Sequence, residues 1–197
     1  MRLILATISD SRRAMFSAAA IPAEAIPARI DEAAVKASLL AESARPRDIA
    51  DALAEMKARK IAEKNPDSLV IGSDQVLECE GTLLSKPESP EDAVAQLSIL
   101  RGKTHKLISA VVVYEYAQPV WRHISEARLT MGSFSDSWLR GYVDRNWNSI
   151  RHSVGGYKVE EEGVRLFIDI RGDHFTIMGM PMLPLLAWMG QRGIIET

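Results

Sequence analysis

The sequence is poor in cysteine and in paired histidines. Cys79 is the single cysteine among 197 residues, and the four histidines lack the paired spacing of metal ligands. One cysteine can form neither an internal disulfide nor a multi-cysteine metal centre. The motifs G-x-S-x-G, H-E-x-x-H and G-x-G-x-x-G are also absent, which leaves zinc hydrolases and dinucleotide dehydrogenases without support. We expect a cytoplasmic protein, because a reducing compartment suits such a chain.

The sequence also lacks a large excess of charge of one sign, and it has no long hydrophobic run. Lysine and arginine number 24 against 26 aspartates and glutamates, so the formal net charge is -2. Nonspecific nucleic-acid binding needs a cationic surface, so we expect no nucleic-acid partner, and a local cluster must bind any anion. The apolar stretch Ile177–Met189 is interrupted by Gly179, Pro181 and Pro184, and the N-terminal apolar run ends at Asp10. We therefore expect no membrane span and no secretory signal.

The remaining composition is typical of a globular domain. Hydrophobic residues make up 47% of the chain and charged residues 25%, which allows a core without a disulfide or metal. We predict one domain over residues 1–197, with an α/β fold in which helices flank a mixed central sheet. The predicted strands are Arg2–Thr7, Leu69–Leu77, His105–Tyr116, Trp121–Met131 and Val164–Ile170. The predicted helices are Ser11–Ala20, Asp48–Lys64 capped by Asp48, one that opens at Ser89 and Pro90, Ser135–Arg145, and a short one in the loop region Ala18–Ala44.

A turn rich in serine and arginine follows the first predicted strand. Ser9, Ser11, Arg12 and Arg13 lie where this strand passes into a helix. Backbone amides at a helix start, serine hydroxyls and two guanidinium groups together suit a phosphate. A capped helix with two solvated arginines is the alternative, because capping serines and surface arginines are common.

Asp74 interrupts an apolar strand close to Gly72. Burying a carboxylate is costly unless it is paired, binds a metal or takes part in catalysis. Asp74 is therefore either a functional carboxylate or a buried acid satisfied by hydrogen bonds or an ion pair. Lys57 lies on the apolar edge of a predicted helix, from which its ammonium reaches either a cleft or water. Lys86 places a cation on the loop downstream of the Asp74 strand.

Six short motifs, in this order, resemble those of the Maf family of nucleoside triphosphate pyrophosphatases. They are SDSRR at 9–13, LAEMKA at 53–58, IGSDQV at 71–76, SKP at 85–87, RGKTH at 101–105 and GMP at 179–181. Together they cover nearly the whole chain. The resemblance implies two lobes around a nucleotide cleft, a homodimer and a divalent metal ion such as Mg²⁺ or Mn²⁺. It also implies hydrolysis of a nucleoside triphosphate to a monophosphate and pyrophosphate.

The resemblance further implies roles for individual residues. Asp74 matches the family's catalytic carboxylate. Glu32 falls where the family carries an acidic residue, so Glu32 and Asp74 are the candidate metal ligands. The candidate phosphate ligands are Ser9, Ser11, Arg12, Arg13, Lys57 and Lys86.

One more segment bears on the substrate. Residues 154–160 read VGGYKVE where many family members have AGAYGIQ, so the candidate base-recognition residues are Lys158 and Glu160. With GSDQ at 72–75, this looks like the branch that acts on 7-methyl-GTP rather than on dTTP or UTP. N7-methylation makes guanine cationic, and the Glu160 carboxylate can attract that charge or accept from the N1–H and N2–H₂ edge. The alternatives are a dTTP/UTP pyrophosphatase and a nucleotide-sensing, division-associated binding protein.

Overall fold

The computed structural model describes residues 2–196. Its strands are β1 (Arg2–Leu5), β2 (Glu24–Ala25), β3 (Ser68–Cys79), β4 (Thr82–Leu84), β5 (Thr104–Glu115), β6 (Gln118–Met131) and β7 (Phe167–Arg171). Its α-helices are α1 (Asp10–Ala18), α2 (Glu32–Ala41), α3 (Pro46–Ala62), α4 (Pro90–Leu100), α5 (Asp136–Ile150), α6 (His174–Ile177) and α7 (Met182–Gln191). Two short 3₁₀ helices cover Val154–Gly156 and Glu162–Leu166.

The described residues divide into two compact units. The first unit comprises residues 2–75, 108–125 and 174–196, and the second comprises 76–107 and 126–173. Strands β3, β5 and β6 contribute residues to both units. The prediction of a single domain stays a prediction.

The strands form a mixed sheet. In the first unit their order is β2-β1-β3-β5-β6, and β1 runs parallel to both β2 and β3. In the second unit β4 pairs antiparallel with β3, and β7 pairs antiparallel with β6. The predicted α/β class with a mixed sheet is therefore confirmed. No helix within residues 2–196 is long and apolar enough to cross a membrane.

Helix α7 completes the core of the first unit. Its residues Met182, Leu185 and Met189 follow helical spacing and are almost fully buried, so one apolar face packs against the sheet. They belong to a cluster that also contains Leu5, Met15, Phe16, Ile21, Leu69, Ile71, Val111, Val113 and Met180. The predicted strand β1 and helix α1 thus share a core with the end of the described chain.

Helix α3 lies unusually close to strand β3. Every fourth residue of one helix face is a fully buried alanine, namely Ala50, Ala54, Ala58 and Ala62. Opposite them, a Cβ added at Gly72 would lie 2.2 Å from the backbone oxygen of Ala54 and 2.6 Å from the backbone nitrogen of Ala58. Because neither backbone atom can move aside alone, only glycine fits at this position of the strand.

Replacing Gly72 by alanine is therefore expected to lower the free energy of unfolding by about 3 kcal/mol, because the new methyl group forces α3 away from the strand. Chemical denaturation measures the change. Gly141→Ala is the matched control: its added Cβ would meet only the flexible end of Arg145, and it is expected to raise stability by up to about 1 kcal/mol, since alanine favours the helix. A Gly72→Ala variant as stable as the original chain would contradict the close packing.

Several predicted boundaries were wrong. Helix α3 begins at Pro46, not at Asp48, and Asp48 lies in its first turn instead of capping it. The proline ring suits the first helical position, while the Asp48 carboxylate accepts a hydrogen bond from Arg45 Nε at 2.8 Å. By contrast, the predicted cap Ser89 is confirmed, since its hydroxyl accepts from the amide of Asp92 at 3.1 Å.

Two further differences lie towards the end of the chain. Residues 164–166 of the predicted strand Val164–Ile170 belong to a 3₁₀ helix, and the strand begins at Phe167. Helix α5 is longer than predicted: Ser135 caps it and it continues to Ile150.

Candidate active site

A buried lysine joins two carboxylates in the first unit. Lys57 Nζ lies 2.5 Å from Asp74 Oδ1 and 2.7 Å from Glu32 Oε1. The side chains of Lys57 and Asp74 are only 9% and 8% exposed, whereas that of Glu32 is 40% exposed. The alternative that Lys57 extends into water is therefore wrong. Asp74 is satisfied by an ion pair, and its catalytic role stays a prediction.

The alternation of strand β3 explains why Asp74 meets Lys57. Gly72 and Asp74 are two residues apart, so their side-chain positions lie on the same face of the strand. Gly72 faces Ala54 and Ala58 of α3, and Lys57 directly precedes Ala58. The close approach at Gly72 thus brings the Lys57 ammonium within reach of the Asp74 carboxylate.

Ser73 and Gln75 lie on the opposite face of the same strand. The Ser73 hydroxyl donates to the carbonyl oxygen of Gly179 at 2.9 Å. The Gln75 amide donates to the carbonyl oxygens of Thr176 and Ile177, each at 3.0 Å. Two of the four residues in the GSDQ motif therefore hold the backbone of the segment that includes α6.

Arg12 extends the charged cluster. Its Nε donates to the carbonyl oxygen of Gly179 at 2.9 Å. Burial lowers the pKa of the Arg12 guanidinium, and the negative charges of Asp74 and Glu32 oppose that shift. Arg12 is thus not the solvated arginine of the alternative interpretation. We call Arg12, Glu32, Lys57 and Asp74 the Lys57 cluster, in which two cations balance two carboxylates.

Of the other residues of the serine- and arginine-rich turn, two are partly buried and one is exposed. The Ser9 hydroxyl caps α1 by accepting from the amide of Arg12 at 3.4 Å. Ser11 is partly buried in the first turn of that helix. Arg13 forms an ion pair with Asp10, is 55% exposed and lines a surface cavity of about 590 Å³. An anion can therefore reach Arg13 from water.

Three candidate residues belong to the second unit. Lys86 is exposed on the loop after β4, and Glu160 is exposed as well. Lys158 is partly buried and its ammonium lies 3.2 Å from Glu161 Oε1. Lys158 is thus paired with the neighbouring glutamate within its own segment.

Glu160 differs from the two glutamates that follow it. Glu161 also accepts a hydrogen bond from Ser149 at 2.8 Å. Glu162 accepts from Arg145 and from Asn146, each at 2.7 Å, and these contacts lower the pKa of Glu162 to about 2. Among residues 2–196, the Glu160 side chain makes no hydrogen bond or ion pair. One carboxylate of the three is therefore available to a ligand.

The carboxylates of the Lys57 cluster fit a divalent metal ion. Glu32 and Asp74 both contact the same nitrogen atom, so their oxygens lie near each other, and Mg²⁺ prefers such hard oxygen ligands. Residues 2–196 contain no group of three or more His, Cys, Asp or Glu side chains able to hold a metal. Mg²⁺ commonly binds one or two carboxylates together with waters and substrate phosphates, so two protein ligands suffice.

Sequence reasoning missed two contributors to this region. It assigned no role to Ser73 or to the carbonyl oxygen of Gly179, although both lie in motifs of the resemblance. Gly179 has a φ of 101°, a conformation that favours glycine. The glycine of the GMP motif could have indicated this special backbone position. Its partners Arg12 and Ser73 could not be predicted, because they lie far from Gly179 in the sequence.

Comparison with known proteins decides the family. A family model for Maf-like proteins matches residues 2–192. The chain belongs to the Maf family. A Maf relative from Ruegeria pomeroyi is 60% identical over 99% of this chain and 98% of its own length. Others from Roseobacter denitrificans and Caulobacter vibrioides are 56% and 48% identical, over 97% and 98% of this chain and 96% of each relative. All three are named nucleoside triphosphate pyrophosphatase. The Maf resemblance is confirmed, and its 7-methyl-GTP branch stays a prediction.

Proposed function

We propose that this protein hydrolyses a nucleoside triphosphate between the α- and β-phosphates, giving a nucleoside monophosphate and pyrophosphate. The observation that carries the proposal is the Lys57 cluster of the first unit, where Lys57 contacts two carboxylates whose charges also act on the nearby Arg12. Cations of this kind hold and neutralise phosphates, while a carboxylate can orient water. The names of the Maf relatives support the same activity.

In this proposal the cations hold the triphosphate and Asp74 acts on water. The proposed phosphate ligands are Ser9, Ser11, Arg12, Arg13, Lys57 and Lys86. Lys86 is included because it lies in the SKP motif of the resemblance. The water oxygen forms a bond to the α-phosphorus, the bond from that phosphorus to the bridging oxygen breaks, and pyrophosphate leaves. Asp74 orients the water and accepts its proton.

Glu32 and Asp74 would hold the divalent ion, Mg²⁺ or Mn²⁺. When bound, the ion neutralises charge on the phosphate oxygens. Besides binding phosphate, Lys57 would help to hold the metal ligands in place. Its ammonium keeps the two carboxylates close together, and a triphosphate offers that ammonium additional anionic oxygens. The homodimer implied by the resemblance and the cytoplasmic location expected from the single cysteine belong to this proposal too.

The substrate we propose is 7-methyl-GTP. Glu160 is exposed and unpaired in the described chain, whereas Glu161 and Glu162 are held by neighbouring side chains. An unpaired carboxylate suits the cationic base or its N1–H and N2–H₂ donors. Lys158 is the second candidate base-recognition residue, although its ammonium contacts Glu161.

A pyrophosphate-release assay tests the activity and the substrate together. The purified protein is mixed with Mg²⁺ and, in turn, 7-methyl-GTP, GTP, dTTP, UTP or CTP, and pyrophosphate is measured separately from orthophosphate. We expect pyrophosphate, with the highest kcat/KM for 7-methyl-GTP. A preference for dTTP or UTP would favour the other branch. Binding without pyrophosphate release would favour the sensor function.

Replacing Glu160 by glutamine is expected to lower kcat/KM for 7-methyl-GTP by about tenfold, the equivalent of about 1.4 kcal/mol, because the amide no longer attracts a cationic base. The value for GTP is expected to change much less. Glu63→Gln, at an exposed site after α3, is the matched control and should leave both values unchanged. Equal losses for both nucleotides in Glu160→Gln would argue against charge recognition.

A further inference from the structure

A buried histidine and a buried tyrosine form a pair in the second unit. His105 Nε2 lies 2.6 Å from the hydroxyl oxygen of Tyr157, and the two residues are 1% and 4% exposed. Phe167 packs against both rings, with centroids 4.8 Å from Tyr157 and 5.9 Å from His105. Burial lowers the pKa of His105 to about 4, so the imidazole is neutral at pH 7.

Hydrogen-bond counting assigns the proton positions. If Tyr157 donates to Nε2, only the Nδ1–H of His105 lacks a partner among the described residues. If Nε2–H donates instead, both the tyrosine O–H and the Nδ1 lone pair lack one. The first arrangement leaves fewer buried groups unsatisfied and is preferred. Even so, one buried polar atom stays unpaired, a costly arrangement for a purely apolar packing role.

The buried Tyr157 anchors the N-terminal end of the segment 157–163, which carries Glu160. Tyr157 directly precedes Lys158, and a Cβ added at Gly163 would lie 2.4 Å from the backbone oxygen of Lys158, so the segment closes tightly on itself. Between these ends, Glu161 and Glu162 are tied to side chains of α5. The direction of Glu160 is thus set by anchors on both sides, of which Tyr157 is the one on the N-terminal side.

We propose that His105 is a positioning residue for base recognition: by accepting the hydrogen bond of the buried Tyr157 hydroxyl, it fixes the 157–163 segment so that Glu160 is presented to the base. The proposal rests on the proposed function and goes beyond it, because His105, only 1% exposed, would act through Tyr157 and not by direct contact with the base. It predicts that the hydroxyl of Tyr157 matters for choice among nucleotides and not for the hydrolytic step.

Tyr157→Phe removes that hydroxyl and keeps the ring. The measured quantity is the ratio of kcat/KM for 7-methyl-GTP to kcat/KM for GTP. We expect the ratio to fall by about fivefold to tenfold, the effect of losing about one hydrogen bond. The fall should come from a higher KM for 7-methyl-GTP, with little change in kcat. The double variant with Glu160→Gln is expected to have a ratio no lower than that of Glu160→Gln alone, because both changes remove the same interaction.

The controls separate positioning from general destabilisation. Tyr114→Phe removes another buried tyrosine hydroxyl, one that donates to Glu55 in the first unit, and should leave the ratio unchanged. His105→Gln keeps an acceptor for Tyr157 and should retain most of the ratio, whereas His105→Leu should lose it. If His105→Leu does not fold, the isosteric Tyr157→Phe carries the test alone.

Two results would overturn the inference. One is an unchanged ratio in Tyr157→Phe while Glu160→Gln lowers it, and the other is additive loss in the double variant. A protein that releases no pyrophosphate from any nucleotide would instead contradict the proposed function. In that case hydrogen exchange still tests the inference: the amides of residues 158–163 should exchange faster in Tyr157→Phe than in Tyr114→Phe, and equal rates would refute it.

Discussion

Asp74→Asn is expected to lower kcat by at least about 100-fold, because asparagine cannot accept the proton of the attacking water. The substitution keeps the shape of the side chain, and its amide oxygen can still accept from Lys57. It also removes one negative charge from a cluster that holds two cations. In the absence of a divalent ion, binding of a nucleoside triphosphate should therefore be at least as tight as in the original protein.

Two measurements check this expectation. Pyrophosphate release gives kcat, and calorimetry with a non-hydrolysable triphosphate analogue gives the dissociation constant. Asp67→Asn, at an exposed aspartate in the turn before β3, is the control and should behave like the original protein. Near-normal turnover in Asp74→Asn would remove Asp74 from the chemistry and leave it as a structural ion-pair partner of Lys57.

Lys57→Met is expected to lower kcat/KM by about 100-fold to 1000-fold, the range seen when one charge-stabilising donor is removed from an active site. It should also lower the free energy of unfolding by about 3 kcal/mol, because Asp74 is left buried without its ion-pair partner. Methionine keeps most of the apolar stem, so the loss reports on the ammonium. Denaturation and pyrophosphate release measure the two effects, with the exposed Lys64→Met as control.

The double variant Lys57→Met, Asp74→Asn separates structure from function. Neutralising Asp74 as well removes the buried unpaired charge, while Glu32 is 40% exposed, so much of the lost stability should return. Activity should not return, because both the phosphate contact and the proton acceptor are gone. Recovery of activity along with stability would mean that neither Lys57 nor Asp74 takes part in the hydrolytic step and that their ion pair serves only the fold.

Local sequence patterns predicted most of the secondary structure. The helix opening at Ser89 and Pro90 and the buried strand around Asp74 depend on neighbouring residues alone, and both are confirmed. Helix α7 was missed because Pro181 and Pro184 look like breakers. In the structure Pro181 precedes the helix and Pro184 lies in its first turn, where an amide has no partner within the helix.

The candidate site was predicted less completely than the fold. The resemblance named all four members of the Lys57 cluster, but it could not say that Lys57 pairs with Asp74 and Glu32. That pairing depends on how closely α3 approaches β3, which the missing side chain of Gly72 sets. Arg12 and Arg13 are neighbours in the same motif, and the sequence does not distinguish them. In the structure, helix geometry turns Arg12 towards Gly179 and leaves Arg13 exposed beside Asp10.

The hydrogen bond from Arg12 to the carbonyl oxygen of Gly179 spans 167 residues of the chain. At a ribosomal rate of about 5–20 residues per second, roughly ten to thirty seconds separate the synthesis of the two partners. In that interval the carbonyl oxygen that accepts from Arg12 has not yet been synthesised. The contact that holds the Arg12 guanidinium therefore forms only after the segment with Gly179 has left the ribosome.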